Sequence, residues 1–164
     1  MVAEYNHMLR IPSVIFIPSY FIVHPLPKES RKLCSMIYLQ QMLKWQQFDL
    51  NSKLIEEKAP AFLKYGTFLF PGRLVLEVFA QRLNWEQFLM LLGIYWMADQ
   101  QNEHMFSIDY PIIISLMEKE LGPCKKLIKE LNHLGYFQLE CKQKEHLIRL
   151  PHLVEEFLDY EPTI

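Results

Sequence analysis

Eleven consecutive residues, Phe88 to Ala98, are apolar, Tyr or Gly. The run is too short for a bilayer, which takes about 20 apolar residues. It therefore predicts a buried central helix, opening at Trp85 with Asn84 as its N-cap. Asp99 to His104 is polar and reads as the following loop. A helix buried all round needs apolar partners on every side. The composition supplies them, with 51% hydrophobic and 13% aromatic residues in 164. A chain of this length and content suits one domain or two small ones and is not disordered as a whole.

The next stretch, Phe106 to Leu150, reads as a short strand, two helices at a tight turn, and a two-stranded hairpin. Ser107-Ile108-Asp109-Tyr110-Pro111 is a helix start, with Asp109 as N-cap and Pro111 in the first turn. Ile112 to Leu121 carries that helix. Gly122-Pro123 is expected to break it and open the next. Cys124, Leu127, Ile128, Leu131 and Leu134 then recur at three- and four-residue steps, one face of a helix. Lys125, Lys126, Lys129, Asn132 and His133 fall on its other faces. Gly135 follows at the position that favours a left-handed residue. Tyr136 to Cys141 and His146 to Leu150 are expected strands, joined by a charged tip, Lys142-Gln143-Lys144-Glu145. Pro151 ends the second.

The ending "helix, Leu-Gly-Tyr-Phe, strand, charged tip, strand" resembles the wing of winged-helix regulators and replication initiators of bacteria and phage. The resemblance covers roughly the last half of the chain. It implies an α+β fold, mainly α with small β wings, built on a winged helix-turn-helix. In such proteins the second helix of the turn motif enters the major groove and the wing touches the backbone. The implied DNA-binding residues are Lys125, Lys126, Lys129, Asn132 and His133 on the helix. Lys142 and Lys144 at the tip and Arg149 on the returning strand complete the set. Lysine meets phosphate as a point charge, and Asn can pair with an adenine edge.

The N-terminal half, residues 1–83, is the expected second region, with 84–164 as the winged helix. Val14 to Ile17 and Tyr20 to Val23 read as short extended segments, confined to edges or turns by Pro12, Pro18, Pro25 and Pro27. Together they form either a strand and turn packed on their own domain or an apolar arm for a partner. Lys28 to Phe48 reads as a helix with a broad apolar stripe. Asp49 to Pro60 is the most linker-like stretch. Thr67 to Phe70 reads as a strand after a turn at Gly66, and Pro71-Gly72-Arg73 opens a helix through Leu83. This strand, helix, break, helix order echoes residues 106–134. A tandem pair of winged helices is one reading of the echo; a helical extension on a single one is the other. Leu153 to Tyr160 suggests a short amphipathic helix.

No catalytic signature is present. Five glycines form neither GxGxxG nor GxxxxGK[ST], and GxSxG and HExxH are absent. Glu56-Glu57 and Glu155-Glu156 are neighbours in sequence, so they do not share a face. Cys34, Cys124 and Cys141 form no CxxC pair, and no secretory signal is seen, which points to reduced thiols in the cytoplasm. The six histidines lack ligand spacing. The expectation is a non-enzymatic binding protein without metal or cofactor.

Charge qualifies the partner. The net charge is −2, not the basic balance of a dedicated nucleic-acid binder. Residues 106–152 hold seven Lys/Arg and six Asp/Glu, net +1, and residues 153–164 carry four acids and no Lys/Arg. The expected function is double-stranded DNA binding by a transcriptional regulator or a phage or plasmid replication factor. The alternative is a winged-helix protein-interaction module, like the accessory subunits of chromosome-segregation complexes. A protein partner or a second copy would dock through the apolar N-terminal half, and no membrane is involved.

Overall fold

The computed structural model describes residues 14–24, 65–103 and 105–150. The expected helix at 28–48, the linker at 49–60 and the acidic segment at 153–160 lie outside the described residues. The chain forms two compact units, Met1–Phe88 and Leu89–Ile164. Both combine helices with a small antiparallel sheet, an α+β architecture.

In the first unit, β1 (Val14–Pro18) pairs antiparallel with β2 (Thr67–Pro71). Strand alternation puts Ile15 and Ile17 inside against Phe70 and Phe68, and all four are buried. These are β-branched and aromatic cross-strand pairs, which stabilise a ladder well. Pro18 and Pro71 stand at opposite corners, opposite Thr67 and Val14, where a lost donor costs least. Ser19 N donates to Gly66 O at 2.9 Å. Gly66 has φ +80, a conformation that suits glycine.

Tyr20–Val23 is one turn of helix, α1, not an extended segment. Phe21 and Ile22 are both buried, and neighbours on a strand cannot share a face. Ile22 N and Val23 N both donate to Ser19 O, which closes the turn. Within residues 14–23, the apolar arm is therefore largely core. Phe16 and Val23 remain exposed.

The helix after β2, α2, covers Gly72–Phe79 and stops short of the expected Leu83. Gln81 adopts φ 61 and turns the chain, while Leu83 is buried. Asn84 then caps α3 (Trp85–Gln101). Gln87 N donates to Asn84 Oδ1 at 2.8 Å, and Asn84 N donates to Gln87 Oε1 at 2.9 Å. This reciprocal capping box satisfies two helix-end donors at once. Phe88 packs edge-on against Phe70, ring centroids 5.5 Å apart. The expected order of strand, helix, break and helix is present as β2, α2 and α3, and β2 pairs with β1, which precedes it in the chain.

From Phe88 to Ala98 every residue of α3 is buried except the half-buried Trp96. No helix among the described residues is long and apolar enough to cross a membrane. In the second unit, α3 is followed by β3 (Met105–Ser107), α4 (Tyr110–Met117), α5 (Leu121–His133), β4 (Gln138–Lys142) and β5 (Glu145–Arg149). The sheet order is β3-β5-β4, all antiparallel. Asp109 caps α4, its Oδ1 accepting from Ile112 N at 3.4 Å.

The break between α4 and α5 is not where the glycine suggested. α4 ends at Met117 because Glu118 takes a left-handed conformation, φ 51 and ψ 43. Gly122 and Pro123 lie inside the first turn of α5, where proline's missing N–H is not needed. The other end of α5 is as expected. Gly135 has φ +90, Gly135 N donates to Asn132 O and Tyr136 N donates to Leu131 O, each at 3.1 Å. That pair of bonds is the Schellman arrangement. Leu134, expected inside, is the C-cap and is 53% exposed.

Candidate nucleic-acid interface

Helix α5 buries Cys124, Leu127, Ile128 and Leu131. The remaining surface divides in two. Lys126, Lys129 and His133 form an exposed strip that also carries Glu130, while Lys125 and Asn132, seven residues apart, lie half-buried along one flank. Both flank residues are engaged within the protein. Lys125 Nζ lies 5.4 Å from the centre of the Tyr110 ring. Asn132 Oδ1 accepts from Leu139 N at 3.0 Å. Pairing with an adenine edge uses both ends of the amide, so the oxygen assigned to base reading is taken up by strand β4.

The hairpin is tighter than the sequence suggested. β4 runs through Lys142 and β5 begins at Glu145. The tip is Gln143-Lys144 alone, both with positive φ, 48 and 68. Two consecutive left-handed residues match the twist of a two-residue hairpin. Lys144 is at the tip and exposed, whereas Lys142 is a strand residue.

Strand alternation separates the basic residues further. Phe106 and Ile148 are buried on the sheet face that also carries Leu139, Cys141 and His146. Glu140, Lys142, Leu147 and Arg149 point to the other face. There Glu140 sits between two cations, 3.5 Å from Arg149 Nε and 4.0 Å from Lys142 Nζ. Arg149 Nη2 also donates to Met105 Sδ at 3.5 Å. Arg149 thus lies across the sheet and is not brought to the lysines of α5. Exposed ion pairs of this kind are weak and yield to a competing phosphate.

On the inner face, the Tyr110 hydroxyl hydrogen-bonds His146 Nδ1. Burial, with the Cys141 thiol adding to it, pushes the Tyr110 hydroxyl up from its ordinary range. It stays protonated at neutral pH. Sequence reasoning missed Tyr110, His146 and Glu140 as neighbours of the lysines. The bond from Tyr110 to His146 spans 36 residues, and no local periodicity encodes it.

Cys124 is buried and its thiol is pushed up by burial, against a smaller opposing pull from Lys119. Among the described residues no group of three His, Cys, Asp or Glu stands close enough to hold a metal ion. No family model, curated protein or solved structure matches this chain.

Proposed function

We propose that this chain is a winged-helix protein that binds double-stranded DNA, as a transcriptional regulator or replication-associated factor. Helix α5 enters the major groove and the β4–β5 hairpin rests on the backbone. The order α3-β3-α4-α5-β4-β5, with β5 between β3 and β4, supports the scaffold. The observation that carries the ligand is the exposed strip Lys126-Lys129-His133 on the second helix, with Lys144 exposed at the hairpin tip. Lys125 flanks that strip. Lys142 and Arg149 reach phosphate only by leaving Glu140. With Asn132 bound to Leu139, contacts are mainly to phosphate, so sequence preference is modest and salt dependence strong.

The test is duplex-DNA binding at 50 and 200 mM salt, for wild type and K125A/K126A/K129A. Loss of three phosphate contacts lowers the slope of log affinity against log salt by about three. Equal binding by both proteins, or none by either, defeats the reading. The second reading, a protein-interaction winged helix, is favoured by two observations. Glu140 offsets two basic side chains of the hairpin, and Leu121 and Leu134 stand exposed at the two ends of α5. A DNA-silent wild type promotes it.

A further inference from the structure

Lys125 differs from the other two lysines of α5. It is half-buried, and its ammonium lies over the Tyr110 ring at 5.4 Å, inside the reach of about 6 Å for a cation–π contact. Tyr110 is the first residue of α4, and its hydroxyl is bonded to His146 on β5. One aromatic side chain therefore touches α5 with its face and the hairpin with its edge. The donor in this bond is the Tyr110 hydroxyl or His146 Nδ1–H according to the imidazole tautomer, and either way the bond joins the ring to β5. The hydroxyl bond stops the Tyr110 ring from swinging away from Lys125.

We propose that Tyr110 is a positioning residue of the DNA interface: held by His146, it pre-orders Lys125 for a phosphate contact. The proposal rests on the DNA-binding reading. A free lysine loses most of its rotamer freedom when it grips a phosphate. Lys125 has already lost part of that freedom against the ring, so its contact costs less to form. Lys126 and Lys129, on the exposed strip, have no ring contact of this kind among the described residues. The expected gain is about two- to fivefold in affinity, the size of an exposed cation–π contact.

The experiment is a mutant cycle on duplex affinity. K125A is measured alone, with Y110F and with Y110L. In wild type K125A weakens binding; in Y110L the K125A penalty is about two- to fivefold smaller; Y110F keeps the ring but not its bond to His146, so its K125A penalty falls between the two. Where Y110L fails to fold, Y110M takes its place. A second readout needs no DNA. The Lys125 ε-protons are shifted upfield by the ring in wild type and Y110F, and return to ordinary values in Y110L. Equal K125A penalties in wild type and Y110L overturn the positioning role while leaving DNA binding intact. Unshifted Lys125 protons in wild type overturn the ring contact itself. Absence of DNA binding in wild type overturns both the interface and the role of Tyr110 in it.

Discussion

Asn132 Oδ1 accepts a hydrogen bond from the Leu139 backbone N–H at 3.0 Å, tying the end of α5 to strand β4. β4 is one edge of the three-stranded sheet, and β3 is the other. On β3 the Ser107 carbonyl accepts from Gln101 Nε2, a side chain of α3, at 3.1 Å. Each edge thus has a backbone group occupied by an amide from a helix. Unpaired edge groups invite pairing with another chain, and these two amides limit it. N132A leaves the half-buried Leu139 N–H without its partner. It is expected to cost about 1–3 kcal/mol, read as a lower denaturant midpoint, with concentration-dependent association. N132D keeps an acceptor and stays near wild type. Equal losses in both variants contradict this role.

Asn84 and Gln87 cap α3 reciprocally. N84A removes the acceptor for Gln87 N and is expected to destabilise by about 1 kcal/mol, the usual worth of such a cap. N84D or N84S recovers most of the loss. Thermal unfolding of the three variants checks this.

Gly93 lies where α3 meets α4. A Cβ built there stands 2.7 Å from Leu116 Cδ2 and 3.4 Å from Ile113 Cδ1. Leu116 and Ile113 are both buried, and the Leu116 side chain must shift to admit the added methyl. G93A gains about 1 kcal/mol in helix propensity but meets an overpacking cost of about 1–3 kcal/mol. The net effect is expected to run from neutral to about 2 kcal/mol destabilising. G93V adds bulk and a β-branch and is clearly worse. A G93A protein more stable than wild type refutes the close approach.

Gln143 and Lys144 hold left-handed conformations without being glycine. That costs each about 1 kcal/mol or more. The double change Q143N/K144G places the preferred pair in the turn. It is expected to raise the unfolding midpoint while removing one phosphate contact, so stability and DNA affinity move in opposite directions. Urea melts and binding isotherms on one preparation separate the two.

Cys124 and Cys141 are expected to differ in reactivity. Cys141 is exposed and is alkylated readily, while Cys124 is buried and protected until the fold opens. Peptide mapping after brief alkylation tests this. Burial raises the Cys124 thiol above its ordinary value, so the folded state holds that proton longer than the unfolded chain. The associated stability is complete below the ordinary thiol range, about pH 8.5, and is lost as pH rises beyond it. C124A is expected to flatten the decline of the unfolding midpoint above that pH.

The local rules written in the chain fixed much of the second unit. The spacing of Cys124, Leu127, Ile128 and Leu131 determined which side of α5 is buried, and Asn84, Asp109 and Gly135 marked helix ends where they were expected. The apolar run from Phe88 determined a buried helix. These are signals carried within a turn or two of the backbone. Tertiary structure decided the rest. It ended α4 at a left-handed Glu118 although Gly122 was nearby, and it wound Tyr20–Val23 into a turn so that Phe21 and Ile22 could both be buried. It also chose the partners of Lys125, Asn132 and Arg149. Hydrophobic period reports which face is covered, whereas a polar partner depends on which distant strand or ring the fold brings alongside. That is why the lysines of α5 and the hairpin were legible in the sequence, whereas Tyr110 beside Lys125, its partner His146, and Glu140 beside Lys142 and Arg149 were not.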